Sequence, residues 1–151
     1  MEMCCFYNQR SIINLVFVMG KNMEDVRRKI LVVDDEEMIG KALRIILAEE
    51  GAVEYARNGR EALARSAVTS YDVLIVDMNM PVMNGMEFYK EAVKTLSGIK
   101  ERIIFFTGSC EEDYFSFFRK NNLRFMEKPL EPKELKDLVR QILESKVLTE
   151  L

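Results

Sequence analysis

The sequence predicts an α/β domain built on a five-stranded parallel sheet, and two patterns carry this prediction. Strand-like and helix-like segments alternate five times from Lys29 onward, as they do in a parallel sheet wrapped by helices. Three strand-like segments are apolar without interruption, as strands buried on both faces are. The chain has 151 residues, 48% of them hydrophobic, so we expect one domain of ordinary size with a substantial core.

The five predicted strands divide into central and edge strands by composition. They are residues 30–33, 53–56, 73–76, 103–106 and 124–127. The first, third and fourth are wholly apolar, whereas the second contains Glu54 and the fifth contains Arg124 and Glu127. Charged residues suit edges, and edges at the second and fifth strands agree with the order 2-1-3-4-5, which is the predicted order. This is the flavodoxin-like arrangement of a doubly wound sheet.

Five helices are predicted to flank this sheet. Apolar residues at helical spacing mark the first helix (Ile39, Leu43, Ile46, Leu47) and the last (Leu135, Leu138, Val139, Ile142, Leu143). Residues 59–70 and 86–96 fit short amphipathic helices, and residues 111–121 fit a fourth helix.

The fourth predicted helix is unusually aromatic. Its residues Tyr114, Phe115, Phe117 and Phe118 cannot all lie on one face of a helix. Either some aromatic surface is left for a partner, or these rings fill gaps beneath the helix. The sequence leaves both interpretations open.

Composition excludes several classes of function. The net charge of −3 gives no basic face for nucleic acid, so direct nucleic-acid binding is not expected. Cys4, Cys5 and Cys110 are too few for a disulfide framework or a zinc site, which predicts a reducing, cytoplasmic location. The chain has no histidine, so imidazole catalysis, imidazole metal ligation and a role as phosphohistidine carrier are excluded.

Residues 1–28 form an N-terminal extension of uncertain role before a domain at 29–148. The apolar run 12–19 is shorter than the about 20 residues that span a bilayer, and the segment lacks the features of a signal peptide. We therefore expect no membrane insertion. Translation from Met19 or Met23 would make the upstream residues non-native, whereas a native extension would pack on the domain or on a partner.

Polar residues follow four of the predicted strands. Asp34 and Asp35 follow the first strand, Asp77 the third, Thr107 the fourth and Lys128 the fifth. Because parallel strands end at one edge of the sheet, these groups are expected to share one pocket. Taken singly, each has a structural alternative, since Asp and Thr also serve as helix caps and loop residues.

The joint placement of these residues resembles the receiver domain of two-component response regulators, of the stand-alone, CheY-like kind. The resemblance covers about residues 29–147 and includes the segment 56–63, which is similar to the family's turn into its second helix. It implies a phosphorylatable signalling switch. Asp77 would accept a phosphoryl group from a sensor histidine kinase or a histidine phosphotransfer protein. The signal would pass by contact with an unknown downstream protein or by onward relay, and the chain would catalyse only its own phosphorylation and dephosphorylation.

The resemblance also implies a role for each site residue. A magnesium ion would be held by Asp34, Asp35, Asp77 and the backbone carbonyl of Asn79, and oxygen ligands suit that metal. The phosphoryl oxygens would contact Lys128, the Thr107 hydroxyl and the backbone N–H groups of Met78 and Gly108.

The switch implied by the resemblance consists of Thr107 and Phe125. The hydroxyl of Thr107 would move toward the phosphoryl group, and Phe125 would move into the space behind it. The output surface would then be the fourth predicted helix, the fifth strand and the last helix. The family also implies a cis peptide bond between Lys128 and Pro129.

Two other functions are weighed against this interpretation. A haloacid-dehalogenase-like, magnesium-dependent phosphatase also uses an aspartate at a strand end, but it expects a second aspartate two residues later, where this chain has Asn79. A receiver-like interaction module that is never phosphorylated would not need the intact acidic set. Few residues follow Leu143, so the chain is expected to lack an output domain or to be a fragment of a larger regulator. The kinase, the target and the oligomeric state are left open.

Overall fold

A computed structural model of the chain describes residues 27–108 and 111–149. Five parallel strands form one sheet in the order β2-β1-β3-β4-β5, which confirms the predicted order. The strands are β1 (Lys29–Val33), β2 (Ala52–Ala56), β3 (Val73–Asp77), β4 (Ile103–Thr107) and β5 (Arg124–Glu127). Asp77 and Thr107 are thus the last residues of their strands.

In the described part of the chain, six helices connect and follow the strands. They are α1 (Glu37–Ile46), α2 (Gly59–Val68), α3 (Gly85–Thr95), α4 (Ile99–Arg102), α5 (Glu112–Asn121) and α6 (Pro132–Thr149). The prediction of five helices missed α4, because a helix of 4 residues is too short to show a periodic pattern.

The sheet has a core layer on each face, because successive side chains of a strand point to opposite faces. Leu31, Val33 and Phe105 face the layer formed with α2, α3 and α5. Ile30 and Ile104 face the layer formed with α1 and α6. Each fully buried aliphatic side chain stabilises the fold by about 1.5–3 kcal/mol. The apolar strands therefore hold the carboxyl edge of the sheet in place.

The first residues of the helices show which polar side chains serve as helix caps. Asn58 caps α2, and Asn84 caps α3 in a capping box with Glu87. The cap of α1 is Glu36, without a side-chain cap hydrogen bond, and the cap of α5 is Glu111. The acids after β1 and the hydroxyl at the end of β4 are therefore not helix caps.

The aromatic residues of α5 fill the layer beneath the helix. Phe118 is buried and lies 5.4 Å from Phe105 between ring centroids. Phe117 packs edge-to-face on Tyr89 and Phe105, with centroids 5.7 and 6.2 Å away. Tyr114 and Phe115 are also partly buried against this core. The structure favours gap filling over an aromatic partner surface on this helix.

Several expectations concern residues outside the described part of the chain. The apolar run 12–19, the alternative starts at Met19 and Met23, and all three cysteines lie there. Among the described residues, no helix is both long enough and apolar enough to cross a membrane.

Candidate functional site

Strand β1 delivers Asp34 into the carboxyl edge of the sheet. The residue is 1% exposed, and its Oδ1 accepts a hydrogen bond from the Glu36 N–H at 2.8 Å. Its backbone carbonyl accepts the hydroxyl proton of Tyr55 at 2.6 Å. Asp35, next in the chain, is exposed. One carboxylate of this pair is therefore fixed and the other faces solvent.

Strand β3 ends at Asp77, which is 4% exposed at the centre of the same edge. Its Oδ2 accepts a hydrogen bond from the Asn79 N–H at 3.0 Å. The loop leads directly into α3, because the Gly85 N–H donates to the Met78 carbonyl at 3.1 Å. A Cβ at Gly85 would lie 2.5 Å from the Asp77 carbonyl oxygen, so only glycine allows this close approach.

Strands β4 and β5 place Thr107 and Lys128 on the other side of Asp77. Thr107 is buried, and its carbonyl accepts the Lys128 N–H at 2.8 Å. The Lys128–Pro129 peptide bond is cis, which confirms the prediction. Lys128 Nζ lies 2.9 Å from Asp77 Oδ1 and 3.3 Å from Asp34 Oδ2. Gly108 is exposed beside the lysine side chain.

The two buried carboxyl groups are electrostatically unfavourable in this pocket. Burial raises the pKa of Asp77 more than the Lys128 and Asn79 hydrogen bonds lower it. Burial likewise raises the pKa of Asp34, against the Glu36 N–H and Lys128. Burial lowers the pKa of Lys128, but the hydrogen bonds and charges of Asp77 and Asp34 together outweigh this and the pKa is raised. The three pKa shifts have one explanation. The ammonium group of Lys128 is shared by two buried carboxylates, so it gains two partners while each carboxylate is only partly compensated.

The acidic residues fit a hard divalent cation. Carboxylate oxygens of Asp34, Asp35 and Asp77 all lie within 4.8 Å of one another. Such an oxygen-only donor set suits magnesium, which binds through one or two carboxylates and keeps several waters. A cation here would also offset the burial of the two raised-pKa acids.

The two predicted backbone donors differ from each other in the structure. The Met78 N–H donates to the Phe106 carbonyl at 2.9 Å. Its predicted contact with a phosphoryl oxygen therefore requires that bond to open. The backbone of Gly108 lies at the end of β4 beside the lysine.

Tyr114 and Tyr55 hydrogen-bond to residues of this site, and the sequence analysis did not predict either contact. The hydroxyl of Tyr114 on α5 donates to Asn79 Oδ1 at 2.5 Å. The hydroxyl of Tyr55 on β2 reaches Asp34, and its ring lies across α1, where a Cβ at Gly40 would be 2.4 Å from Tyr55 Cδ2. These contacts join residues 35 and 21 positions apart, which periodicity and motif spacing do not link.

The constellation is that of a known family. Residues 30–140 match the family described as response regulator receiver domain. The chain belongs to this family. This receiver domain is similar to a CheY-like response regulator receiver domain protein from Methanospirillum hungatei JF-1. The two sequences are 27% identical, and its crystal structure superposes on this one with a TM-score of 0.74. That alignment covers 81% of this chain and 98% of the other.

Two further relatives agree with this receiver assignment. The chemotaxis protein CheY4 of Vibrio cholerae is 33% identical, with a TM-score of 0.67 and coverage of 76% of this chain and 98% of that one. The transcriptional regulatory protein ResD of Bacillus subtilis (strain 168) is 34% identical over 121 residues. That match covers 76% of this chain and 48% of ResD. The chain spans about half the length of full-length curated relatives such as ResD.

Membership in the family defines the general function. The receiver domain is a phosphorylatable switch of two-component signalling. Neither the phosphatase alternative nor the non-phosphorylated module is favoured.

Proposed function

We propose that Asp77 is the residue that accepts the phosphoryl group. The observation that carries this proposal is the position of Lys128, whose Nζ lies 2.9 Å from Asp77 Oδ1. Asp77 belongs to the central strand of the edge, between the acidic pair after β1 and Thr107 at the end of β4. It is the only one of the three acids with metal-binding carboxylates on one side and a cation within 3 Å on the other.

The transfer itself needs a donor from another protein, because this chain has no histidine. An oxygen of Asp77 attacks the phosphorus of a phosphohistidine, the P–N bond breaks, and the imidazole leaves with the electron pair. Lys128 neutralises charge on a phosphoryl oxygen as a compact cation. The Thr107 hydroxyl and the N–H groups of Gly108 and Met78 bind the other phosphoryl oxygens, the last after it leaves the Phe106 carbonyl.

Magnesium completes the site in this proposal. Its protein ligands are Asp34, Asp35, Asp77 and the backbone carbonyl of Asn79. When bound, the ion neutralises charge on the transferring phosphoryl oxygens. Without it, three carboxylates face a single ammonium group at this edge.

The output of the switch passes through Thr107 and Phe125. Phe125 is 37% exposed and stacks on Phe118, with ring centroids 4.7 Å apart and planes 12° apart. In the phosphorylated state the Thr107 hydroxyl moves toward Asp77, and Phe125 packs into the space behind it. A local change of charge thereby biases an element with two arrangements. A downstream protein reads the face formed by α5, β5 and α6, or the phosphoryl group is relayed onward.

The wider assignment follows the receiver domain. We assign it to residues 29–148, with residues 1–28 as an extension outside the switch. Catalysis is restricted to the domain's own phosphorylation and dephosphorylation, in the cytoplasm, without direct nucleic-acid contact.

Phosphorylation by a small acyl phosphate with Mg²⁺ tests the proposal. Intact-mass spectrometry should show one added phosphoryl group on the wild type and none on Asp77→Asn. Lys128→Ala should react at least about tenfold more slowly, because a charge-stabilising group is lost. Asp72→Asn, the same substitution at the other end of β3, serves as the matched control and should react normally. Phosphorylation of Asp77→Asn at the wild-type rate would refute the assignment.

A further inference from the structure

Helix α5 contacts the loop after the acceptor strand through the side chain of Tyr114. The Tyr114 hydroxyl, in the first turn of α5, donates to Asn79 Oδ1 at 2.5 Å. Asn79 lies in the loop after β3, and its N–H donates to Asp77 Oδ2 at 3.0 Å. The contact therefore bridges the loop after the acceptor strand and the helix that follows the neighbouring strand.

The same helix also contacts the proposed output residue. Phe115 lies 5.4 Å from Phe125 between ring centroids, and Phe118 stacks on Phe125 at 4.7 Å. Tyr114 and Phe118 are four residues apart, so they lie about one turn apart along α5. A movement of α5 would thus change the contact with Asn79 and the packing of Phe125 together.

The bond between Tyr114 and Asn79 is in a position to control access to the acceptor. The Asp77 side chain is 5% exposed. Asn79 and Lys128 both lie against its carboxylate, Asn79 through its backbone N–H and Lys128 through its Nζ. Asn79 is exposed, and its amide oxygen is the group to which Tyr114 donates.

We propose that Tyr114 is a positioning residue that holds Asn79 beside Asp77, so that the position of α5 sets the lifetime of the phosphorylated state. This inference rests on the proposed role of Asp77. Loss of the phosphoryl group requires water to attack phosphorus. The bond between phosphorus and the Asp77 oxygen breaks, the carboxylate leaves with the electron pair, and the water proton passes to the released phosphate. A fixed Asn79 side chain limits the approach of that water.

If α5 sets the lifetime at Asp77, a protein that binds α5 and Phe125 in one arrangement also changes that lifetime. The partner that reads the signal would then also determine how long the signal lasts.

The experiment is a double-mutant cycle on the rate of phosphate loss. Wild type, Tyr114→Phe, Asn79→Ala and the double variant are phosphorylated with an acyl phosphate and Mg²⁺, freed of donor, and followed by intact mass. Asn79→Ala keeps the backbone N–H and carbonyl of that residue. Tyr114→Phe should shorten the lifetime roughly two- to tenfold, as expected for one neutral hydrogen bond. The double variant should lose phosphate no faster than Asn79→Ala, because the two side chains act as a unit.

A matched control separates positioning from stability. Tyr71→Phe removes a hydroxyl that donates to Glu54 at 2.7 Å, in a residue just before the start of β3, at the amino end of the strand. It should leave the phosphate lifetime unchanged whatever it does to the melting temperature. An unchanged lifetime in Tyr114→Phe, or effects of the two site variants that multiply, would overturn the inference. A wild type that takes up no phosphoryl group would instead refute the role of Asp77.

Discussion

The two ends of β3 hold nearly the same set of groups with opposite electrostatic results. At the amino end, Asp72 lies 2.6 Å from Lys146 Nζ and accepts the Lys29 N–H at 2.8 Å. At the carboxyl end, Asp77 lies 2.9 Å from Lys128 Nζ and accepts the Asn79 N–H at 3.0 Å. Each aspartate therefore has one ammonium partner and one backbone donor.

The pKa values of the two aspartates shift in opposite directions. Burial raises the pKa of Asp72, but the bonds to Lys146 and the Lys29 N–H outweigh it, so the pKa is lowered. At Asp77 the effect of burial is larger than that of the hydrogen bonds, and the pKa is raised. The Asp77 side chain is 5% exposed against 16% for Asp72, and its lysine is shared with Asp34. The ionised Asp72 therefore stabilises the fold, whereas the ionised Asp77 costs folding energy.

The comparison distinguishes a structural ion pair, Asp72–Lys146, from the Asp77–Lys128 pair, for which we propose a function. At the amino end the charges of Asp72 and Lys146 neutralise each other. At the carboxyl end the described acids outnumber the lysine, and a divalent cation would offset their excess negative charge. Perturbed acids of this kind are characteristic of functional sites.

The largest expected effect on this comparison comes from removing each lysine. Lys128→Met leaves Asp34 and Asp77 buried without a cation and should lower the free energy of unfolding by about 3 kcal/mol, as for a broken buried ion pair. Lys146→Met should cost about 1 kcal/mol, because Lys146 is 36% exposed and Asp72 keeps its bond to Lys29. Urea denaturation in the presence of a chelator measures both. Equal losses, or a greater loss for Lys146→Met, would contradict the difference between the two ends.

The strand ends could be predicted from the sequence, and their side-chain partners could not. Uninterrupted apolar runs placed Asp34, Asp77 and Thr107 at one edge, because burial on both faces leaves no other role for such strands. The fifth predicted strand likewise ended at Lys128, whose role was implied by the family resemblance. The Tyr114–Asn79 and Tyr55–Asp34 bonds depend on how helices and edge strands pack, which no local pattern encodes.

Some features were missed although the sequence does carry a signal for them. Asn84 and Glu87 have the spacing of a capping box, as do Asn58 and Glu61 at the start of α2. The packing of the α5 aromatics had no such signal, since it depends on Tyr89, Phe105 and Phe125 from three other elements. Val82, with φ of 72°, adopts a left-handed conformation that a β-branched residue rarely takes and that its sequence does not predict.

A smaller effect is expected in the pH dependence of the amino end. Because the folded pKa of Asp72 is lowered from 3.8, its ion pair stabilises the protein above that pH and is lost as the pH falls through the folded pKa. The gap in unfolding free energy between wild type and Lys146→Met should be constant above about pH 5 and shrink toward pH 3. Urea titrations across that range measure it. A gap that is constant down to pH 3 would show that Asp72 does not depend on Lys146.

The smallest effect is expected from shortening the chain. A protein that begins at Met23 keeps every described contact of the amino end, which start with the Arg27 bond to the Ala48 carbonyl at 2.9 Å. Its melting temperature should change by less than about 2 °C, within the shift that about 0.5 kcal/mol produces, and it should take up phosphate at the wild-type rate. If the shortened protein is folded but is not phosphorylated, residues 1–22 take part in the function.

The most direct test of the account is a set of thermal melts of wild type, Asp77→Asn and Asp72→Asn, each with and without Mg²⁺. Without metal, Asp77→Asn should melt about 2–5 °C above wild type, because the raised pKa of Asp77 makes its ionised form a cost to the fold. Asp72→Asn should melt below wild type, because it loses a favourable pair. Mg²⁺ should raise the melting temperature of wild type and Asp72→Asn, since it binds the folded site, and should raise that of Asp77→Asn less. If Mg²⁺ leaves the wild type unchanged and Asp77→Asn melts lower, as Asp72→Asn does, then the acids of the carboxyl edge are structural and Asp77 is not the phosphoryl acceptor.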